Sequence, residues 1–355
     1  MFYRYEIRNN GKEDILYLYL TMAYEFSKEL GHNTSNDDLT RRTKNFIKTN
    51  RINFQGKKVF LVIDGVVVKT LDIKTTDEVE KISNDTLFSN DNYLVKLKLE
   101  DNSMIEITLK EYLLGVLPNC LFSFIEDENL KTLSILFRTY VYNMMKEQGY
   151  VEAYSDFATY KSLDYFKLAW SKDFNIIKNR LEKIIAATDS IFLTFNSQYI
   201  LPFMHFSNNG KTFINNKYQY LSSVNSLWDL ASPYTIEVKD IDYNYATKLL
   251  NTSISYNTKV EILEYDRNGF IKRIKFNNKI FSGEEIKSIL NLKSLDVIFI
   301  FNKEMLKIIT RGFGNYLGLS IYGANELAKN GCNYVDIIKY YFPKVKICRY
   351  IKELS

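Results

Sequence analysis

Histidine, cysteine and proline are scarce in this 355-residue sequence, with two, three and four of each. Cys120, Cys332 and Cys348 stand far apart with no CxxC spacing, which argues against a disulfide scaffold and a structural zinc site. With His32 and His205 as the only imidazoles, neither a metal site nor a cofactor is expected. No stretch approaches the ~18 uninterrupted apolar residues of a membrane span. The opening MFYRYEIRNNGKED lacks the basic-then-apolar pattern of a secretory signal. The sequence by itself therefore predicts a cytoplasmic protein without a membrane span. Charge of one sign is not in excess either: 47 basic residues face 42 acidic ones for a net +5, and the signs are interleaved. Nucleic acid is not an expected partner.

Apolar residues make up 46% and charged residues 25%, the balance of a soluble globular protein. The 27 Tyr and 24 Phe either line a carbohydrate groove or replace aliphatic residues in the core and at its rim. Residues 1–75 read as a small α/β unit: an apolar run (ILYLYLTMAYEF), a helix opened near Asn36 or Asp37, and two β-branched runs about Asp64-Gly65, a type I′ hairpin signal. The polar stretch 76–92 reads as a linker, and residues 93–355 as one further domain. That domain opens with a strand pair turning at Asp101-Asn102. A helix follows from about Phe124, for which Ser123 and Glu126 have capping-box spacing. Leu130, Leu133, Phe137, Tyr140, Val141 and Met144 mark its buried stripe, and Gly149 its stop. Further elements are a helix over 173–187, hairpins at Asn196-Ser197 and Asn268-Gly269, and closing helices over 320–329 and 334–341. Helices and hairpins mix without a βαβ rhythm, so the expected class is α+β.

Glycine is also sparse, yet four of the 14 fall within GFGNYLGLSIYGA, Gly312 to Ala324. Such a cluster marks a tight turn or a cradle in which a ligand meets the backbone. The spacing of Gly312, Gly314 and Gly318 is GxGxxxG rather than GxGxxG, without a following GK[ST], which argues against a nucleotide site.

This stretch resembles the GxGHGxGMSQYGA motif of the stage II sporulation protein D and amidase-enhancer family. LKEYLLGVLPNCLF...DENLKTLSILFRTY (Leu109 to Tyr140) is similar to that family's LEEYVxGVVxxEMP...EALKAQAxAARTY. FMHFSNNGKT, YLSSVNSLWD and FSGEEIKSILNLKS resemble three more of its stretches in the same order, so the likeness spans about residues 93–347. The resemblance implies a peptidoglycan lytic transglycosylase, in which one glutamate protonates the leaving glycosidic oxygen and then takes a proton from the attacking 6-hydroxyl. Where the family has that glutamate, this chain has Cys120. Asn315, Ile321 and Leu133 likewise stand where the family has a histidine and two glutamines.

A thiol is a poor proton donor with a shorter reach than a carboxylate. Cys120 is expected to be a packing residue, or a nucleophile only if an imidazole such as His205 lies beside it. His205 is expected to be a hydrogen-bonded strand residue rather than a base or metal ligand. Glu126 is the candidate replacement acid, while Glu126, Asp127 and Glu128 also suit a first helical turn. The resemblance implies a binding groove framed by Cys120, Arg138, His205, Ser207, Gly312, Gly314, Asn315, Gly318, Ser320 and Tyr322, with glycan strands or a protein as partner. Three readings stand: a glycan-binding or regulatory protein with lost or weakened catalysis, an active transglycosylase using a displaced acid, or a scaffold recruited through residues 1–75. Cell-wall work conflicts with the cytoplasmic expectation.

Overall fold

The computed structural model describes residues 3–9, 15–22, 58–63, 66–72, 79–83, 92–120, 125–155 and 157–351, with side chains for 79, 80, 82, 92–120, 125–155 and 157–350. The fold is α+β. It packs as two compact units: a helical unit built on Ile47–Phe203 with Ala324–Ser355, and a sheet unit built on Met204–Gly323. The segment from Met204 forms a core of its own.

Strands β1 (Tyr3–Asn9), β2 (Ile15–Met22), β3 (Lys58–Ile63) and β4 (Val66–Asp72) form a sheet in that order. β3 and β4 are the antiparallel pair expected about Asp64-Gly65; the turn itself and the helix expected near Asn36 lie outside the described residues. The supposed linker 76–92 contains a strand, β5 (Val79–Ser83), whose backbone pairs with the last strand of the chain. Polar composition misleads there because a strand's hydrogen bonds come from its backbone.

β6 (Leu94–Lys98) and β7 (Met104–Thr108) form the expected hairpin, with Asn102 at φ 64° in its turn. Thr108 then opens α1 (Leu109–Val116) with a capping box: its hydroxyl accepts the Glu111 N–H at 3.2 Å, and the Glu111 carboxylate accepts the Thr108 N–H at 2.7 Å. A short 3-10 turn, Leu117–Cys120, follows. The long helix α2 (Asp127–Glu147) starts after Glu126, which makes no side-chain cap, so the box expected at Ser123 and Glu126 is not formed. From Asn129 to Tyr142 almost every residue of α2 is buried, far more than one stripe. It is surrounded within its unit by α1, by a strand and a helix that follow it, and by the last helix of the chain. At about 1.5–3 kcal/mol for each fully buried large aliphatic side chain, this helix is the main apolar support of the unit.

The unit continues with β8 (Val151–Glu152), which pairs with β6, then α3 (Leu163–Trp170), α4 (Phe174–Ala187), β9 (Ile191–Phe195) and β10 (Gln198–Tyr199). Asn196 and Ser197, both at positive φ, turn β9 into β10 as expected.

The sheet unit holds β11 (Met204–His205), β12 (Ile236–Asp242), α5 (Tyr243–Leu250), β13 (Val260–Tyr265), β14 (Ile271–Phe276), β15 (Lys279–Ser282), α6 (Gly283–Ile289), β16 (Val297–Phe301), β17 (Met305–Arg311) and β18 (Leu319–Ser320). Two three-stranded sheets, ordered β12-β17-β16 and β13-β14-β15, share a core that includes Phe270, Ile274, Phe276, Leu306, Ile308 and Tyr316. The basic residues Lys272 and Arg273 on β14 are exposed while Ile271, Ile274 and Phe276 are buried, as their alternation predicts. α7 (Ile321–Lys329) starts in this unit and ends in the helical one. α8 (Tyr334–Tyr341), capped by Asn333, and β19 (Lys346–Ile351) complete the helical unit in the sheet order β10-β9-β19-β5.

Candidate functional site

β11 and β18 pair in parallel, setting His205 beside Ser320. This joins two of the motif stretches and builds a buried polar network. The His205 Nδ1–H donates to the Leu317 carbonyl at 3.1 Å, and Nε2 accepts from the Asn208 side-chain amide at 3.0 Å. The same amide nitrogen donates to Asp229 Oδ2 at 2.9 Å, while Asn208 Oδ1 accepts the Gly210 N–H at 2.8 Å. Asp229 is the hub: its carboxylate also accepts the Ser226 hydroxyl and, at 2.7 Å, the Ser320 hydroxyl. Its own carbonyl accepts the Thr235 hydroxyl. Ser320 in turn accepts the Gly323 N–H at 3.1 Å, which caps the first turn of α7.

Burial pushes the Asp229 carboxyl up to about 7 against the hydrogen bonds from Ser226, Ser320 and Asn208. Burial likewise lowers the His205 imidazole to about 4, so the ring is neutral, with both nitrogens occupied. It is placed to hold structure and not to take a proton from a ligand. Among the described residues no group of three or more histidine, cysteine, aspartate or glutamate side chains has the arrangement of a metal site.

The glycine loop is built around Tyr316. This residue takes φ 61° and is fully buried; its hydroxyl donates to the Arg311 carbonyl, and its ring packs on Phe213, Phe270 and His205. At Gly312, φ 67°, a Cβ would run into the Tyr316 hydroxyl; at Gly314, φ 120°, it would stand 2.5 Å from the His205 Cβ. These two glycines serve a positive-φ turn and close internal packing. Gly318, also at φ 67°, continues the turn, and Asn315 on the exposed side accepts the Leu317 N–H at 3.0 Å.

Ser207 is buried and exchanges backbone hydrogen bonds with Phe313, and the Tyr322 N–H donates to the Phe206 carbonyl at 3.0 Å. On the outer side of this frame the half-buried Phe206 and Phe313 rings stack at 5.0 Å. The exposed Tyr234 ring meets Phe206 edge-on at 5.7 Å, and Lys293 Nζ lies 4.6 Å from the Phe313 centroid.

The other expected site residues belong to the helical unit. Cys120 ends the 3-10 turn, which the Asn119 side chain pins by donating to the carbonyls of Gly115 at 3.2 Å and Thr159 at 2.6 Å. The thiol is buried, and that burial pushes it up to about 12. It stays protonated throughout the physiological range, neither an accessible acid nor a thiolate nucleophile.

Glu126 is half-buried and serves as the N-cap residue of α2, its backbone N–H donating to Asn325 Oδ1 at 2.7 Å. Glu128 pairs with Lys131 at 2.5 Å and accepts the Tyr334 N–H at 2.9 Å, so it ties α2 to α8. Arg138 lies within α2. It is fully buried, and its guanidinium donates to the carbonyl of Ile191 at 3.2 Å and of Ile185 at 3.5 Å. The resemblance implies a place for Arg138 in the groove; in the structure its guanidinium satisfies carbonyls at the end of α4 and the start of β9.

Sequence reading singled out neither Asn208, Ser226 nor Asp229, although all three lie inside the quoted motif stretches. A signal was present in the shared aspartate of YLSSVNSLWD, but its partners are supplied by the fold.

A family model described as stage II sporulation protein matches residues 100–195. The stage II sporulation protein D of Bacillus subtilis (strain 168) is 28% identical over 261 residues, covering 70% of this chain and 76% of that protein. That of Bacillus amyloliquefaciens is 26% identical over 264 residues, covering 70% and 77%. An uncharacterized protein of Brachyspira hyodysenteriae is 20% identical over 358 residues, covering 94% and 88%. The motif order, the matched model and these relatives point the same way: over about 70% of its length the chain is similar to stage II sporulation protein D.

Proposed function

We propose that this chain is a sporulation protein that binds peptidoglycan glycan strands and has lost, or nearly lost, the power to cut them. One observation carries the second half of this reading: Cys120, at the position of the family's proton-shuttling glutamate, is a buried thiol pushed up to about 12. A lytic transglycosylase needs one group that both gives and takes a proton near neutral pH. This thiol does neither.

Binding is supported by the aromatic surface beside the glycine loop, where Phe206, Phe313 and Tyr234 offer ring faces and edges. Sugar rings bury their C–H faces on such surfaces while their hydroxyls remain hydrated. The proposal carries a location with it, since glycan strands lie outside the cytoplasmic membrane. Among the described residues no helix is long and apolar enough to cross a membrane.

Co-sedimentation with purified insoluble peptidoglycan tests the binding. The wild type is expected to pellet with the wall and Phe313→Ala to stay largely in solution; equal behaviour of both would refute the assigned surface. Mass spectrometry of peptide-free strands after incubation tests the chemistry, with no 1,6-anhydro ends expected. Anhydro ends that disappear in Glu126→Gln would instead assign cutting to a displaced acid.

A further inference from the structure

The aromatic surface beside the glycine loop is backed by the buried polar network. The Phe206 carbonyl accepts the Tyr322 N–H at 3.0 Å and lies 3.5 Å from the Ser320 hydroxyl, the long end of the hydrogen-bond range. The Phe206 N–H donates to the Phe313 carbonyl at 2.9 Å, so the two stacked rings are also tied through their backbones. The Tyr234 carbonyl accepts the Ser207 hydroxyl at 3.3 Å, and the neighbouring Thr235 hydroxyl donates to the Asp229 carbonyl. Ser320 and Asp229 are themselves fully buried.

Ser320 has one hydroxyl hydrogen and two acceptors within reach, Asp229 Oδ1 at 2.7 Å and the Phe206 carbonyl at 3.5 Å. The charge on Asp229 decides between them. A carboxylate only accepts, so it takes the Ser320 hydrogen and the Phe206 carbonyl goes without it. A neutral carboxyl has a hydrogen of its own to donate. Its Oδ2 accepts the Ser226 hydroxyl and the Asn208 amide, a donor that cannot turn round, while Oδ1 faces the Ser320 hydroxyl, which can. A proton on Oδ1 therefore donates to Ser320 Oγ, and the Ser320 hydrogen turns to Phe206. Burial raises the Asp229 carboxyl to about 7, so both arrangements are populated near neutral pH. The other titratable groups around it hold one charge state there: His205, across the Asn208 amide, is lowered to about 4, and burial raises Tyr316 above its ordinary value. Beyond Tyr316, Arg311 and Asp296 pair with each other at 2.6 Å.

We propose that Asp229 is a positioning residue whose proton sets the affinity of the Phe206, Phe313 and Tyr234 surface for glycan, relayed through the Ser320 hydroxyl. This rests on the reading that the surface binds glycan strands. With Asp229 neutral, Ser320 holds the Phe206 carbonyl from the α7 side, and the stacked rings are fixed before a ligand arrives. With Asp229 charged, that tie is released. Binding thus favours the protonated form and weakens as pH rises through 7. A neutral hydrogen bond is worth a factor of roughly two to ten in an equilibrium constant, and this one is long, so a change of about threefold is expected.

Fluorescence anisotropy with labelled peptide-free glycan strands, read from pH 5.5 to 8.5, tests the coupling. The wild type is expected to bind about threefold more weakly at the upper end. His32→Asn, which removes the chain's other imidazole, is expected to keep that profile. Asp229→Asn, whose amide is a permanent donor towards Ser320, should bind at the low-pH level throughout, and Ser320→Ala at the high-pH level throughout. A second readout follows the relay without ligand: with 13C-carbonyl Phe and 15N-Ser labelling, the Phe206–Ser207 resonance of the wild type should titrate near pH 7 and stand still in both variants. The two wild-type profiles decide the matter without the variants, whose fold is checked by circular dichroism. Binding that is flat with pH, or a Phe206 carbonyl that does not titrate, would overturn the relay while leaving the glycan surface in place. No binding at any pH would overturn the surface reading and the relay's effect on it together.

Discussion

The buried aspartate of the sheet unit and the buried cysteine of the helical unit lie on motif stretches of the same family, yet they have kept very different chemistry. Asp229 is enclosed by Asn208, Ser226 and Ser320, each donating a hydrogen bond that compensates its removal from water. Cys120, which the proposed function places at the family's acid position, has a side chain that needs little compensation, since a thiol packs as a small apolar group. The difference separates two kinds of demand. Groups that hold the loop and the start of α7 are locked in by their partners, because losing one strands several others. A group whose only duty is to a substrate leaves no unpaired neighbour when it changes, so it is free to change once that duty lapses.

The largest effect that would break this comparison is expected from Asp229→Ala, which leaves the Asn208 amide and the Ser226 and Ser320 hydroxyls buried without their acceptor. Urea unfolding should show a loss of about 3 kcal/mol or more. A loss below about 1 kcal/mol would mean the network is not what holds the loop.

The second effect depends on pH. With its carboxyl raised to about 7, folded Asp229 retains a proton that the unfolded chain releases near pH 4, so its contribution is full below about pH 4 and is lost as pH rises through 7. His205, lowered to about 4, behaves oppositely: its contribution is full above about pH 6.5 and is lost as pH falls through 4, because only the unfolded imidazole takes up the proton between. In the wild type these slopes oppose each other between about pH 4 and 6.5. Asp229→Asn should therefore leave stability rising with pH across that window, and His205→Gln should leave it falling. Each slope has a ceiling of about 1.4 kcal/mol per pH unit. Denaturation midpoints at half-unit steps would read both slopes, and identical profiles in the two variants would contradict the assignment.

The smallest effect sharpens the contrast from the other side. Cys120→Ala should cost only about 1 kcal/mol, as expected for removing one small buried group. Iodoacetamide with peptide mapping should leave Cys120 unlabelled in the native protein near pH 8 and labelled after unfolding. Rapid native labelling would reveal an accessible thiolate at odds with its burial.

Much of the fold was legible because its signals are local. Turn residues with positive φ, at Asn102, Asn196 and Gly269, fall where the sequence predicts the hairpins to turn, and Asn333 caps α8 just before the expected helix 334–341. What escaped was set by tertiary pairing: β5 within a polar stretch, β19 at the tail, and the full burial of α2 with its Arg138. The glycine loop was recognisable as special, with two explanations open. The backbone angles and the packing of Gly312 and Gly314 on Tyr316 and His205 account for it through turn geometry. Asn208 and Asp229 lie 21 positions apart, and no periodicity links them. Only the pairing of β11 with β18 brings their partners together.

The measurement that bears most directly on the account is a side-by-side analysis of the ends left on peptide-free glycan strands by the wild type and by Cys120→Glu from pH 4 to 9. The wild type is predicted to leave no 1,6-anhydro ends at any pH, whatever trace the restored carboxylate produces. Anhydro ends accumulating with the wild-type protein would show that a proton shuttle survives without the glutamate, and would contradict the claim that a protonated thiol has ended the chemistry.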